Sequence, residues 1–208
     1  MESPQRKWVR QPEERPSQMM SAALEVFSGQ GFRGATMERI AKVAGVTKGT
    51  IYLYFPNKEA LFIETLRVHT EDLLELLPDF EIRPGEDIES VSGVLAKALM
   101  SMLLQPSMAK VFPLFVAEVN HLPALKRIYI EEWLPRTNFF LAEVLRQGMS
   151  AGIFRPLDPV IAARGLLGMF GTFVLTQEVF EAKAVTPMTA DAIAETIVTI
   201  FFRGVLAS

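Results

Sequence analysis

The sequence contains no cysteine and only two histidines among its 208 residues. Without cysteine, the chain cannot form a disulfide, a thiolate nucleophile or a cysteine zinc site. The two imidazoles, His69 and His121, lie 52 positions apart. The acidic pair Glu131 and Glu132 next to Trp133 has neither metal-ligand spacing nor an oxyanion motif beside it. We therefore expect no catalytic residues, no metal site and no cofactor, and hence no enzyme.

Long uncharged apolar runs are also scarce. The first 18 residues contain no apolar segment of the kind that a cleaved secretion signal needs. The longest apolar stretch, between Arg164 and Glu178, holds 13 uncharged residues, fewer than the roughly 20 of a membrane span. Half of the residues are hydrophobic and 22% are charged, which is typical of a globular chain. The sequence predicts a soluble, cytoplasmic protein without a membrane partner.

Negative charge predominates only after the first quarter of the chain. The net charge is −3, but residues 1–58 hold 9 Lys and Arg against 5 Asp and Glu, a net of +4. Residues 59–208 hold 12 against 19, a net of −7. A basic segment of this size is compatible with a polyanionic partner and equally with an ordinary solvated surface.

The stretch GQGFRGA, residues 29–35, spells the Gly-x-Gly-x-x-Gly pattern of dinucleotide-binding loops. Such loops follow a strand and precede an acidic residue about twenty positions on, but Tyr54 stands there. The apolar residues on either side have helical spacing: Met20, Ala23, Leu24 and Phe27 before, and Met37, Ile40, Ala41 and Ala44 after. We interpret Gly29 and Gly31 as the cap and turn that end a first helix.

Two short helices are predicted after these glycines. Thr36 is placed to cap the first of them, Gly45 to form a tight turn after it, and Thr47 to cap the second. In the second helix, Ile51 and Phe55 share the side that would pack inward. The other side gathers Lys48, Gly49, Tyr52 and Leu53. Such an exposed face on the second helix of a helix-turn-helix fits the major groove of B-DNA.

The segment 22–66 resembles the DNA-binding head of the TetR family of transcriptional regulators, most specifically in GVTKGTIYLYFPNKEAL. The resemblance covers about a fifth of the chain and implies a double-stranded operator as partner. It places five residues in the major groove, namely Thr47, Lys48, Gly49, Tyr52 and Leu53. It places four on backbone phosphates, namely Thr36, Thr50, Tyr54 and Lys58. The alternative for Tyr52 and Tyr54 is a pair of ordinary half-buried tyrosines.

The fold class that follows is all-α, with a three-helix N-terminal helix-turn-helix head and a C-terminal helical domain for ligand binding and dimerisation. We place the arm and head at 1–57 and the helical domain at 58–208. A long helix is expected over 58–77, a loop over 78–90, and further helices near 88–104, 107–120, 123–150, 158–183 and 188–206. Pro113 and Pro135 should kink or break their helices. The arm with Arg6, Lys7, Arg10 and Arg15 either reaches flanking DNA or forms a soluble tail.

Two features of the second domain point to assembly and ligand binding. Small residues recur every three positions along one apolar helix, at Ala162, Gly165, Gly168 and Gly171, and leave room for a close neighbouring helix. With a second apolar helix that contains Ile197 and Phe201, they resemble the family's homodimer interface, as a pseudo-palindromic operator requires. The alternative is a buried core helix within one chain.

The region where the family keeps an effector pocket combines aromatic residues with a few polar groups. The candidates are Phe112, Phe115, Glu118, Asn120, His121, Tyr129, Trp133 and Phe173. An ordinary aromatic core would have the same residues. The resemblance implies a ligand-responsive repressor that an effector releases from the operator. The 10 methionines and 15 phenylalanines of the chain favour a small apolar or amphipathic effector. A helical interaction module or structural dimer without specific DNA binding is the alternative.

Overall fold

The computed structural model describes residues 15–75, 82, 92–93, 105 and 107–205. Within these ranges the secondary structure is helical, without a β-strand, which confirms the all-α prediction. The basic arm before Arg15, the predicted loop at 78–90 apart from Ile82, and nearly all of the predicted helix at 88–104 lie outside the described residues. The described chain divides into two compact units, one up to Thr65 and one from Leu66. The domain boundary predicted between residues 57 and 58 stays a prediction.

The first unit contains helices α1 (Arg15–Gly34), α2 (Met37–Val43) and α3 (Lys48–Tyr54), and the beginning of α4 (Lys58–Leu74). Its core consists of apolar side chains that are fully buried, from all four helices. They include Met19, Ala23, Phe27, Ile40, Ile51, Leu61 and Phe62. Their positions in α1 repeat at intervals of four residues, so one face of that helix packs inward.

The glycine-rich stretch does not follow a strand: its residues 29–34 form the last part of α1, which is kinked at Gly31, and α2 follows. Gly31 has a φ of 68° and interrupts the helical backbone of α1, and this left-handed conformation favours glycine. Gly29 lies within the regular part of α1 and does not act as a cap, which corrects that part of the interpretation. Gly45 has a φ of 66° and forms the turn between α2 and α3, as expected.

The second unit contains the end of α4, followed by α5 (Met108–Glu118), α6 (Pro123–Ile128), α7 (Leu134–Ser150), α8 (Pro159–Val174) and α9 (Ala190–Val205). A π-helical turn, Tyr129–Trp133, joins α6 to α7, and a second one, Leu175–Val179, extends α8. A short 3₁₀ helix, Ala182–Ala184, precedes α9. The main core of this unit lies among α7, α8 and α9.

The two prolines behave differently. Pro113 lies inside α5, which continues past it to Glu118. Pro135 follows the π turn, in which the amide of Leu134 donates to the carbonyl of Tyr129, five residues back. Because Pro135 has no amide hydrogen, it cannot provide the next α-helical hydrogen bond, so the widened turn occurs where the regular pattern would fail.

Candidate nucleic-acid interface and internal cavity

The turn between α2 and α3 is held by local capping bonds. The hydroxyl of Thr36 accepts from the amide of Arg39 at 3.2 Å, and the hydroxyl of Thr47 accepts from the amide of Thr50 at 3.1 Å. The amide of Val46 donates to the carbonyl of Ala41 at 2.9 Å. Both predicted N-caps are therefore confirmed, and together they fix where each short helix begins.

Helix α3 divides into a buried and an exposed side. Ile51 is fully buried and Phe55, just after the helix, is buried as well. On the other side, Leu53 is 84% exposed and Tyr52 is 42% exposed, and Gly49 is exposed beside them. The structure thus presents the predicted face on the surface of the first unit. We call Lys48, Gly49, Tyr52 and Leu53 the reading face.

An ion pair crosses from α2 to the reading face. The ammonium of Lys48 contacts the carboxylate of Glu38, and both side chains are more than half exposed. The hydrogen bond from Lys48 holds the pKa of Glu38 below its usual value, and the same bond raises the pKa of Lys48. The ammonium also lies 5.9 Å from the ring centroid of Tyr52. Sequence reasoning missed Glu38, although it stands ten positions before Lys48 across a predicted tight turn.

The threonines and tyrosine expected on phosphates are accessible. Thr36 and Tyr54 are exposed, and Thr50 is half-buried, its hydroxyl 2.8 Å from that of Thr47. Their contact with phosphate remains a prediction.

Lys58 has a different environment from the other predicted contacts. Its ammonium donates to the carbonyl oxygens of Phe32, Arg33 and Ala35 at 2.7, 3.4 and 3.0 Å. It also lies 4.6 Å from the ring centroid of Phe32. Because these carbonyls come from the last turn of α1 and the residue after it, Lys58 satisfies groups that the helix leaves unpaired. A phosphate contact would compete for the same three donors.

The second unit contains two adjacent cavities. The larger one, about 500 Å³, is lined by α5, the first π turn, α7, α8 and Leu175. The smaller one, about 180 Å³, has mainly aromatic and apolar walls and includes Thr70 and Leu74 of α4. Met108, Phe112, Tyr129 and Thr137 line both. A volume of several hundred Å³ is the usual size for a small-molecule site.

Of the eight predicted pocket residues, four line these cavities and four do not, namely Glu118, Asn120, His121 and Phe173. Phe112 and Tyr129 line both, and Phe115 and Trp133 line the smaller one. Glu118 is buried and His121 is exposed, but neither belongs to the walls of these cavities. Phe173 packs against the core among α7, α8 and α9, because at about 100° per residue it lies on the opposite flank of α8 from Gly171.

The small residues of α8 lie in more than one environment. Ala162 packs against the core, whereas Gly165 and Gly168 are exposed. Gly168 and Gly171 also line the larger cavity, and a Cβ atom at any of the three glycines would meet nothing within 4 Å. These small residues, which we call the glycine stripe, therefore border the cavity as well as the outer surface of the unit.

The two predicted interface residues of α9 differ in exposure. Ile197 is 1% exposed, whereas Phe201 is half-buried and packs against the same core. A side chain that is buried within one chain cannot form an outer contact surface, which corrects the choice of Ile197, and the role of Phe201 stays a prediction. The exposed apolar residues of these two helices include Ile200 on α9 and Val160 and Ile161 on α8.

The uncovered face of α8 is unusually apolar for a surface helix. By length and composition, the segment Pro159–Gln177 would suffice to cross a membrane, and only 17% of it is buried. Among the described residues no group of three His, Cys, Asp or Glu could hold a metal ion.

Two family models match most of the chain. The one described as "Bacterial regulatory proteins, tetR family" matches residues 19–65. The one described as "AefR-like transcriptional repressor, C-terminal domain" matches residues 93–204, more than half of the chain. The first match contains the helix-turn-helix and the second contains both cavities apart from Thr70 and Leu74.

Individual relatives agree with these matches. The HTH-type transcriptional regulator RutR of Escherichia coli K12 is 53% identical over 49 residues, which cover 24% of this chain and 23% of RutR. The fatty acid metabolism regulator protein of Bacillus subtilis is 29% identical over 160 residues, 76% of this chain and 81% of that protein. The crystal structure of a putative transcriptional regulator from Pseudomonas aeruginosa PAO1 superposes with a TM-score of 0.74 at 26% identity, covering 94% of this chain and 93% of the other.

Proposed function

Because the chain belongs to the TetR family of transcriptional regulators, we propose that it is a cytoplasmic repressor that binds a pseudo-palindromic operator as a homodimer. A small apolar or amphipathic effector releases it from the DNA. The observation that carries the DNA-binding part is the exposed reading face, with its cation and aromatic hydroxyl on a helix that begins at the Thr47 cap. A lysine and a tyrosine at such a face can reach base edges in the major groove.

The contacts to DNA divide into two kinds. Thr47 and the reading face contact base edges, and Thr36, Thr50 and Tyr54 contact phosphates on either side. Lys58 contributes to phosphate binding through charge, since its three donors are already directed at carbonyl oxygens of the same unit.

Dimerisation is proposed through the uncovered apolar face of α8 and α9. Ile161 is 70% exposed and Ile200 is 58% exposed, and Gly165 and Gly168 leave space for a close neighbouring helix. A second copy would bury this apolar surface, and removing apolar surface from water is favourable. A two-fold axis through the face places the two reading faces on equivalent half-sites.

Control of DNA binding is proposed to act through α4. This helix begins at Lys58, whose ammonium contacts the end of α1, and its last turns provide Thr70 and Leu74 to the smaller cavity. A ligand in that cavity therefore contacts the helix that begins in the DNA-binding unit. Half-sites recur at about 34–36 Å, so a small change in the separation of two reading faces lowers DNA affinity. Linkage then requires DNA to lower ligand affinity by the same factor.

The test of DNA recognition starts with genomic fragments selected by the wild-type protein. Tyr52→Ala and Lys48→Ala should each weaken binding of such a fragment by about 1 to 3 kcal/mol while the fold is kept. Fluorescence anisotropy measures affinity, and circular dichroism checks folding. Lys110→Ala, an exposed lysine of α5, is the matched control. Wild-type affinity in both folded variants, or no preference for any sequence, would favour a helical interaction module instead.

A further inference from the structure

We propose that the effector is an amphipathic monoanion with an aromatic body and a carboxylate, and that Arg164 binds the carboxylate. This inference rests on the proposed function, since it takes the two cavities of the second unit as the effector site. It adds the charge and shape of the ligand and the residue that selects for them.

Within the described part of the chain, the walls of the larger cavity contain one formal charge. Among the described residues that line it, Arg164 is the charged one, and the other polar side chains include Thr137, Asn138 and Thr172. The remaining walls are mainly apolar, from α5, α7 and α8. A single cation at the wall of an apolar cavity matches a ligand with one anionic group and an apolar body.

Arg164 has no competing partner among the residues that the structure describes. No carboxylate of a described residue lies within 4.0 Å of it, whereas Arg67 in the same unit pairs with Glu132 at 3.0 Å. Its guanidinium is therefore available for a bidentate contact with a planar anion. Binding an anion costs the guanidinium only part of its hydration, because the side chain of Arg164 is exposed.

Space for the ligand lies next to Arg164 on the same helix. Gly168 and Gly171 follow it by four and seven positions, so the three residues share one flank of α8. Both glycines line the cavity, and no atom lies within 4 Å of where their Cβ atoms would be. A ligand can thus lie against the backbone of α8 while its charged end reaches the arginine.

Two residues that line these cavities have a buried polar atom without a hydrogen-bond partner among the described residues. Asn138 is 6% exposed, and its Nδ2 donates to the carbonyl of Leu134, whereas its Oδ1 is unpaired within the described part of the chain. The indole nitrogen of Trp133 is the second such atom. Unpaired buried polar groups are uncommon and call for an explanation, and here both belong to residues that line the cavities.

The smaller cavity determines the shape of the ligand body. Phe112, Phe115, Tyr129 and Trp133 surround it, with the ring centroids of Phe115 and Tyr129 4.9 Å apart. Offset and edge contacts between aromatic rings favour a flat ring system there. Because Phe112 and Tyr129 also line the larger cavity, one molecule can occupy both.

The test compares three naphthalene probes that differ in charge: 2-naphthoate, 2-naphthamide and 2-naphthylmethylammonium. Isothermal titration calorimetry on the full-length protein without DNA should show the carboxylate binding at least about tenfold more tightly than the amide. The ammonium probe should bind more weakly than the amide. Arg164→Gln should remove the preference for the carboxylate, whereas Arg155→Gln, an exposed arginine outside the cavity walls, should keep it.

A second variant tests the location independently of charge. Gly171→Leu fills the cavity without strain in α8, and it should weaken all three probes by a similar factor. Circular dichroism confirms that each variant is folded. Equal affinity for carboxylate and amide, a preference that survives Arg164→Gln, unchanged binding by Gly171→Leu, or no binding of the carboxylate to the wild type would each overturn the proposal.

The same probes separate this inference from the proposed function. If 2-naphthoate binds through Arg164 but leaves DNA affinity unchanged, the result supports the proposed ligand class. It contradicts the proposal that the effector releases the protein from DNA. If the protein binds selected DNA but does not prefer the carboxylate probe to the amide probe, the proposed DNA-binding function is supported and this inference is wrong.

Discussion

The ammonium of Lys48 lies between a carboxylate and the place proposed for DNA. Glu38 holds it on the reading face and at the same time adds a negative charge that phosphates avoid. Because both side chains are exposed, the pair itself adds little to stability. Its effect should therefore appear in DNA selectivity, through the orientation of Lys48 and the local charge.

Glu38→Gln should raise affinity for random DNA and lower the ratio of specific to random binding. Removing the carboxylate frees Lys48 for a phosphate, so the slope of log affinity against log salt should steepen by about one unit. Anisotropy titrations with a selected fragment and a scrambled one, over a range of salt, measure both effects. Glu25→Gln, at an exposed acid of α1, is the control. An identical slope in the Glu38 variant and the wild type would contradict this role.

Lys58→Ala should destabilise the first unit as well as weaken DNA binding. Three carbonyl oxygens lose their donor, and hydrogen bonds to a charged group contribute on the order of 1.5 to 3 kcal/mol. The variant should also bind all DNA sequences less well and reduce the salt slope by about one unit. Thermal denaturation followed by circular dichroism measures the first effect. If the variant has normal stability but no longer binds DNA, the ammonium binds a DNA phosphate and does not stabilise the end of α1.

At the scale of elements, two glycines of the first unit have opposite roles. Gly45 has a left-handed backbone at the turn before α3, whereas Gly29 lies in regular helix with open space around it. Gly45→Ala should cost about 1 to 2 kcal/mol, because a Cβ atom is strained there. Gly29→Ala should stabilise by up to about 1 kcal/mol. Chemical denaturation of both variants measures the difference, and equal effects would show that the turn does not depend on Gly45.

Local signals allowed the helix-turn-helix to be predicted from sequence. The caps Thr36 and Thr47, the turn at Gly45 and the buried positions Ile51 and Phe55 all depend on neighbours within a few positions. What could not be predicted depends on distant contacts. Lys58 meets carbonyls 23 to 26 positions earlier, and no spacing rule connects them.

In the second unit, the sequence indicated which helices are apolar but not which flank meets which neighbour. Ile197 and Phe173 pack in or against the core, but they are as apolar as the residues that line a cavity or an outer face, so residue type alone does not distinguish them. The two π turns add a further uncertainty, because each one rotates the residues after it relative to an unbroken helix. Tyr129 and Trp133, which begin and end the first π turn, line the smaller cavity, and sequence spacing alone does not predict that place.

At the scale of the whole molecule, assembly is the property that a single substitution can test. Ile161→Glu should convert the proposed dimer to monomer and abolish tight operator binding, since an unpaired charge in an apolar interface costs several kcal/mol, about 3 or more. Analytical ultracentrifugation measures the mass. Val185→Glu, at an apolar residue that is 88% exposed beside the 3₁₀ helix, is the control.

A substitution at Ile161 tests the interface more specifically than one at the glycines of α8. Gly168→Trp would also be expected to open the interface, but Gly168 lines the larger cavity, so that variant would alter ligand binding as well. A folded Ile161→Glu protein that sediments as a dimer would show that the uncovered face of α8 is not the interface.

The apolar face of α8 has a further consequence for the protein in a cell. Until a newly made chain meets a second copy, the exposed apolar positions of α8, such as Val160 and Ile161, face water. In the proposed dimer, each partner acts as a ligand of the other, so mass action ties the stability of the folded chain to its abundance. A drop in copy number would then reduce repression twice, through fewer molecules and through a larger unassembled fraction.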